Sequence, residues 1–179
     1  MNALEFVNSL KKIPNKERIS QLIQLGMDKD FIEEYIGSYT FKQKGSRRID
    51  NPIEALISNY DGTTVEIGMV TFDVNLVEDE NYIFFGRFEV DFLAMDKKTG
   101  EIKLMDHKNL LFVINDCASN GLNFLSALLK AAIFLDKLLN DDKLANDQHL
   151  ICEIAISCSN IAGGKKYIGF YKTLLGCFE

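Results

Sequence analysis

Tryptophan is missing from this 179-residue chain, and proline and histidine occur only twice each. With so little proline and no low-complexity run, extensive disorder is not expected. No internal repeat is visible, which sets solenoid architectures aside. The longest apolar run, Leu122 to Leu135, is shorter than the roughly 20 residues of a membrane-spanning helix. Lys130 also sits in its middle, so a buried helix and no membrane association are expected. The opening stretch MNALEFVNSLKKIPNKER has neither an apolar h-region nor a small-residue cleavage site, so a secretory signal is not expected. Cys117, Cys152, Cys158 and Cys177 show no CxxC spacing, which removes zinc ribbons and thioredoxin-type motifs. The expectation is four reduced, mostly buried thiols in a cytoplasmic protein.

Signatures of catalysis are equally scarce. The segment AGGKKYIG lacks the upstream glycine and the Ser/Thr that a phosphate-binding P-loop requires, and reads as a hairpin turn. No nucleophile elbow, HExxH motif or dinucleotide fingerprint occurs. Between Gly86 and Asn109 the chain gathers Asp91, Asp96, Glu101, Asp106 and His107. An EF-hand loop starting at Asp96 would place Lys98, Gly100 and His107 where oxygen ligands belong, so a calcium loop fails. Asp106 and His107 are neighbours, and in a strand their side chains would point to opposite faces. A Cys117–histidine nucleophile pair could form only through the tertiary fold. Glu78, Asp79 and Glu80 are adjacent acids in a turn, where facing water is the ordinary role. No catalytic residue, cofactor or metal is expected, and the chain reads as a non-enzyme.

What the chain does have is a core and an uneven charge. Hydrophobic residues make up 47 % and charged residues 26 %, as in one soluble domain. Net charge is −6, which argues against nucleic acid as a partner. Between Asn51 and Asp116, 13 acidic residues face 5 basic ones, whereas the first 50 residues carry a small positive excess. Such a segment either steers a basic protein partner or simply keeps the surface solvated.

Hydrophobic spacing predicts a helix after Asn15 ending at Gly26, and a second from Asp28 to Gly37. KQKGSRRIDNP reads as a loop, and PIEALISNYDG as a short helix closed by Asp61-Gly62. A strand begins near Thr63, NLVEDENY forms an acidic turn, and YIFFGRFEVDFLAMD is one long or bulged strand. Lys97-Lys98-Thr99-Gly100 fits a hairpin turn with Gly100 left-handed. That reading places Lys97 opposite Glu101 and puts Phe92 and Ala94 on one face with Ile102 and Leu104. Leu110 to Asn115 is a further strand, and Ser119 to Asn140 a Leu-rich helix. LICEIAISC and KYIGFYKTLL close the chain as apolar segments read as strands. The expected class is α+β: a single domain with a curved, mostly antiparallel sheet, N-terminal helices and a long helix after the sheet.

The order of short motifs resembles the SUKH superfamily. Phe85-Gly86 ends a strand, FLAMD follows, then Thr99-Gly100-Glu101-Ile102 at a hairpin turn and Asp106-His107 before a capped helix. DKDFIEEYIG is similar to the short helix that many members carry upstream. The tryptophan that many members place near the sheet has no counterpart here. The resemblance spans about residues 19–139, with 140–179 as a C-terminal extension. It implies a bacterial immunity protein that binds and neutralises a cognate polymorphic toxin, often a nuclease, through a groove and without catalysis. The alternative is a regulatory scaffold like the yeast cell-wall-synthesis regulator family, or, third, an enzyme using Cys117 or His107. The partner is expected to be basic, and Glu78, Asp79, Glu80, Glu89 and Asp91 are the candidate contacts, chosen as acids near strand ends.

Overall fold

The computed structural model describes residues 1–139 and 141–178. Three helices come first, α1 (Ala3–Leu10), α2 (Lys16–Gln24) and α3 (Lys29–Gly37). Strand β1 (Lys42–Gln43), helix α4 (Pro52–Asn59) and strand β2 (Tyr60–Asp61) follow, with β1 and β2 paired as a small ribbon. The main sheet is an antiparallel meander of β3 (Glu66–Ile67), β4 (Val70–Glu78), β5 (Tyr82–Phe88), β6 (Asp91–Asp96), β7 (Ile102–Met105) and β8 (Val113–Ala118). It is curled into a half-barrel. Helices α5 (Gly121–Leu138), α6 (Asp142–Ala145), α7 (Gln148–Ala162) and α8 (Ile168–Leu175) complete the chain, with a 3-10 turn at Lys165–Tyr167. The α+β single-domain expectation holds.

Capping explains where the helices begin. Asn2, Asn15, Asp28, Asn51, Asn120 and Asp147 each accept a first-turn amide proton with the side-chain oxygen. Helix α1 was not foreseen. Its signal is Asn2 with Glu5 three residues on, a reciprocal capping box.

The strand boundaries correct the sequence reading in several places. The stretch from Thr63 is a hairpin, β3 and β4, turning at Gly68 and Met69. Asn75 to Glu78 belong to β4, so the acidic turn shrinks to Asp79–Asn81. YIFFGRFEVDFLAMD is two strands, with Phe88 opposite Asp91. Glu89 takes φ 54 at that turn, which Asn or Gly ordinarily signals and Glu-Val does not. Across the next turn Met95 lies opposite Ile102 and Ala94 opposite Lys103. Phe92 and Ala94 therefore share a face with Lys103 and Met105, not with Ile102 and Leu104. The loop is one residue longer than read, and a one-residue slip exchanges the two faces. Lys97 pairs with Glu78 at 2.7 Å and not with Glu101. Strand β8 starts at Val113, so Leu110–Phe112 are loop.

The helices cover the face that carries Phe72, Phe85, Leu93, Met95, Ile102 and Leu104. Helix α5 lies at the centre, buried along Phe124, Leu125, Leu128, Ala131 and Ala132. Phe124 packs edge-on against Phe85 of the sheet at 5.7 Å. The C-terminal segments are helices and not strands, which is a correction. Their buried positions, Ile151, Cys152, Ala155, Cys158, Ser159 and Ala162, recur at helical spacing over a stretch that short apolar windows cannot assign. Asn140 and Glu179, at the ends of that expectation, lie outside the described residues.

An ionic cluster fastens this helical segment to the sheet. Glu101 accepts from Lys166 at 2.7 Å and from the Tyr167 hydroxyl at 3.2 Å, while Lys103 bridges Glu101 and Asp116. The Lys166 ammonium, working against partial burial, holds the Glu101 carboxyl below its ordinary range. The expectation of four free thiols holds only for Cys117 and Cys158. Cys152 in α7 is joined to Cys177 after α8, 25 residues apart.

Two predictions follow from this packing. A Cβ on Gly86 would lie 2.3 Å from the Thr71 carbonyl oxygen. Gly86→Ala should therefore cost about 1–3 kcal/mol, read as a fall of about 2–4 °C in Tm per kcal/mol in a chain of this size. Opening a disulfide loop of this length should remove about 3 kcal/mol. Thermal unfolding with and without dithiothreitol should differ by several degrees in the native chain and not in Cys152→Ser.

Candidate functional site

The other face of the sheet is not covered by the helix layer, and it carries its own apolar cluster. Phe84, Ala94 and Met105 are buried there, with Tyr82, Phe92 and Val113 packed around them. The register brings these residues together: Val77 faces Phe84, Phe84 faces Ala94, Phe92 faces Met105, and Met105 faces Val113. A cavity of about 400 Å³ opens between Asp73, Asn75, Val77, Phe84, Arg87, Phe92 and Leu110. Arg87 stacks its guanidinium 4.5 Å from the Phe92 ring centroid and lies 3.9 Å from Asp73, so its charge is partly answered inside the face.

The β7–β8 connection borders this cavity. Leu110 lines it, while Leu111 lines a neighbouring depression with Tyr82, Asp96 and Lys97. The loop is held by its own polar groups. Asp106 accepts the amides of Lys108 and Asn109, Asn109 accepts those of Leu111 and Phe112, and Asp106 donates its amide to the Phe112 carbonyl. Asp91 anchors the base by accepting the His107 amide at 3.0 Å and meeting the His107 ring at 2.7 Å.

Asp91, Asp106 and His107 bring one possible ligand atom each within 4.8 Å of one another. The adjacency of Asp106 and His107 in sequence hid this arrangement, because the histidine's partner comes from the start of β6. One oxygen of each carboxylate, Oδ1, is engaged in holding the loop, and among the described residues no further His, Cys, Asp or Glu joins this group. Burial pushes the Asp91 carboxyl up, but the hydrogen bonds and charge of His107 outweigh it, so its pKa lies below the ordinary value. The His107 contact is thus at full strength above the ordinary carboxylate pKa and is lost as pH falls through the lowered value.

The five candidate acids do not form one patch. Glu78, Asp79 and Glu80 stand at the β4–β5 turn, where Glu78 pairs with Lys97 and Asp79 accepts the amides of Asn81 and Tyr82. Glu89 and Asp91 stand at the β5–β6 turn, the opposite end of β5. Seven residues of strand separate the two groups by roughly 20 Å. Glu80 and Glu89 are exposed, whereas Asp91 is committed to His107. Sequence reasoning missed the apolar face itself, because the shifted register put Phe92 and Ala94 on one face with Ile102 and Leu104, which the structure buries under the helices.

Cys117 and His107 do not meet. Cys117 is fully buried and its thiol is pushed well up by burial, while His107 is exposed and bound to Asp91. His149 lies exposed on α7 beside Glu153. Among the described residues, no helix is long and apolar enough to cross a membrane.

Comparison of the chain with protein-family models, with curated proteins and with solved structures finds no match.

Titration of the His107 amide resonance in NMR should report a carboxylate transition below the ordinary aspartate range. Asp91→Asn should abolish that transition and lower the order parameters of Leu110–Phe112 without unfolding the sheet.

Proposed function

We propose that the chain is a SUKH-type immunity protein of a bacterial producer cell that binds a cognate toxin domain and neutralises it by occlusion. The observation that carries this reading is the uncovered apolar face of the curled sheet, with ordered acidic turns at both of its ends. The cluster itself is buried, but Val77, Leu110, Leu111 and Phe112 around it stand exposed, and exposed apolar groups gathered in one place are suited to protein contact.

Occlusion needs no catalytic group on this chain. The segment from Asn51 to Asp116, with its 13 acids against 5 bases, attracts a basic partner such as a nuclease and orients its approach. The apolar face then supplies the contact area that slows dissociation. Of the motifs that carry the resemblance, Thr99-Gly100 stands at the β6–β7 turn, whereas Phe85-Gly86 lies inside β5, which runs on to Phe88, and does not end a strand.

Isothermal titration against the toxin domain encoded beside this chain, at low and at physiological salt, tests the reading. Tight binding that weakens with salt is expected, together with loss of toxin activity in the complex. Reversing Glu80 or Glu89 to Lys should slow association on the order of tenfold at low salt and leave the fold unchanged. Absence of binding at both salts would overturn the assignment.

A further inference from the structure

Leu110, Leu111 and Phe112 are consecutive, and their exposures are 40 %, 92 % and 56 %. Leu111 is almost wholly in water and adds no burial to the fold, while Leu110 and Phe112 are only partly withdrawn from it. Yet the loop is built to hold them there. Asp106 and Asn109 accept four backbone amides within it, and Asp91 pins His107 at its base. An ordered loop has already lost the conformational freedom that binding would otherwise remove. Leu110 continues directly into the cavity floored by Val77, Phe84 and Phe92.

The geometry points to a single docking surface, made of the Leu110–Phe112 loop and the Phe84/Phe92 cavity, for a partner protein that presents an apolar side chain flanked by lysine or arginine. This deepens the immunity reading and rests on it for the partner's identity. The cavity has room for a large apolar side chain, with Leu111 and Phe112 beside it to cover the segment that carries it. Charge selects the flanks. Glu80 stands free at one end and Glu89 at the other, with Asp79, Asp91 and Asp106 alongside. Of the cations nearby, Lys97 is paired with Glu78, Arg87 lies against Asp73 and Phe92, and Lys103 bridges Glu101 and Asp116, so Lys98, Lys108 and Lys44, which donates to the Val74 carbonyl, are left to oppose five carboxylates. A second copy of this chain would bring the same acidic turns face to face, and anionic lipid or nucleic acid would meet the same repulsion.

Photo-crosslinking tests the surface. The full chain carrying a benzophenone maleimide on Leu111→Cys is irradiated in lysate of the producing cell, with Ile23→Cys on α2, 58 % exposed, as control. The captured protein is identified, purified and titrated against the native chain and Leu111→Asp. Capture from position 111 and not 23, a cross-link within a Lys/Arg-flanked apolar segment, and a roughly hundredfold weaker affinity for Leu111→Asp are expected. Circular dichroism should show that Leu111→Asp is folded, because the side chain it replaces is almost wholly in water. No capture at 111, capture of a second copy of this chain, or equal affinity for both chains would overturn the surface. A captured partner that is not a toxin leaves the surface standing and removes the immunity reading. A cognate toxin that binds native chain and Leu111→Asp equally does the reverse.

Discussion

Burial of α5 is the constraint on which the rest of the structure depends. A helix apolar on most of its circumference cannot be satisfied by packing along one stripe, so it must be enclosed. Phe85 of the sheet meets Phe124 from one side, while α1, α4, α7 and α8 close the others. Phe124 and Phe170 are fully buried and pack against one another at a tilt, each contributing roughly 2–3 kcal/mol of transfer free energy. The polar end of α5 is enclosed too. Arg18 lies 3.5 Å from Asp136, and Tyr35 donates its hydroxyl to the same carboxylate at 2.7 Å. Burial first, and then the Asp136 carboxylate, pushes the Tyr35 hydroxyl pKa upward, so it acts as a fixed donor. That buried group ties α2 and α3 to α5, and removing one partner would strand a charge.

A meander that commits one face to α5 has the other left over. Half of the side chains on each strand alternate outward, and here several of them are aromatic. The uncovered face is thus a geometric consequence of the core, while its chemistry is a separate choice of residues. Turns at the two ends of the strands set the acids apart. The β7–β8 loop, tied by Asp91, Asp106 and Asn109, sets the apolar tip beside the cavity.

Much of the fold was legible in local patterns. Asn15, Asp28 and the 3.6-residue spacing marked helices, and Thr99-Gly100 marked a turn, because capping and left-handed glycine act within a few residues. Other features left no such trace. Glu89 turns the chain without a turn residue, since its amide is held by the Met69 carbonyl in the β3–β4 turn. His107 finds Asp91, 16 residues away, and not its neighbour Asp106. The helices of the C-terminal segment are set by packing on α5 and the sheet, which outweighs the strand preference of their isoleucines.

By itself the sequence determined the class of structure: one α+β domain, its meander, its long enclosed helix and its acidic middle. These follow from periodicity, capping and charge, all of which are local or additive along the chain. Only the tertiary structure decided which face each strand residue occupies, which cysteines join, and which side chains stand out in water. Strand faces alternate with a period of two, so a single residue of register exchanges core and surface. Register depends on contacts between residues distant in the chain, and those contacts placed Phe92 beside the exposed Leu110–Phe112 loop.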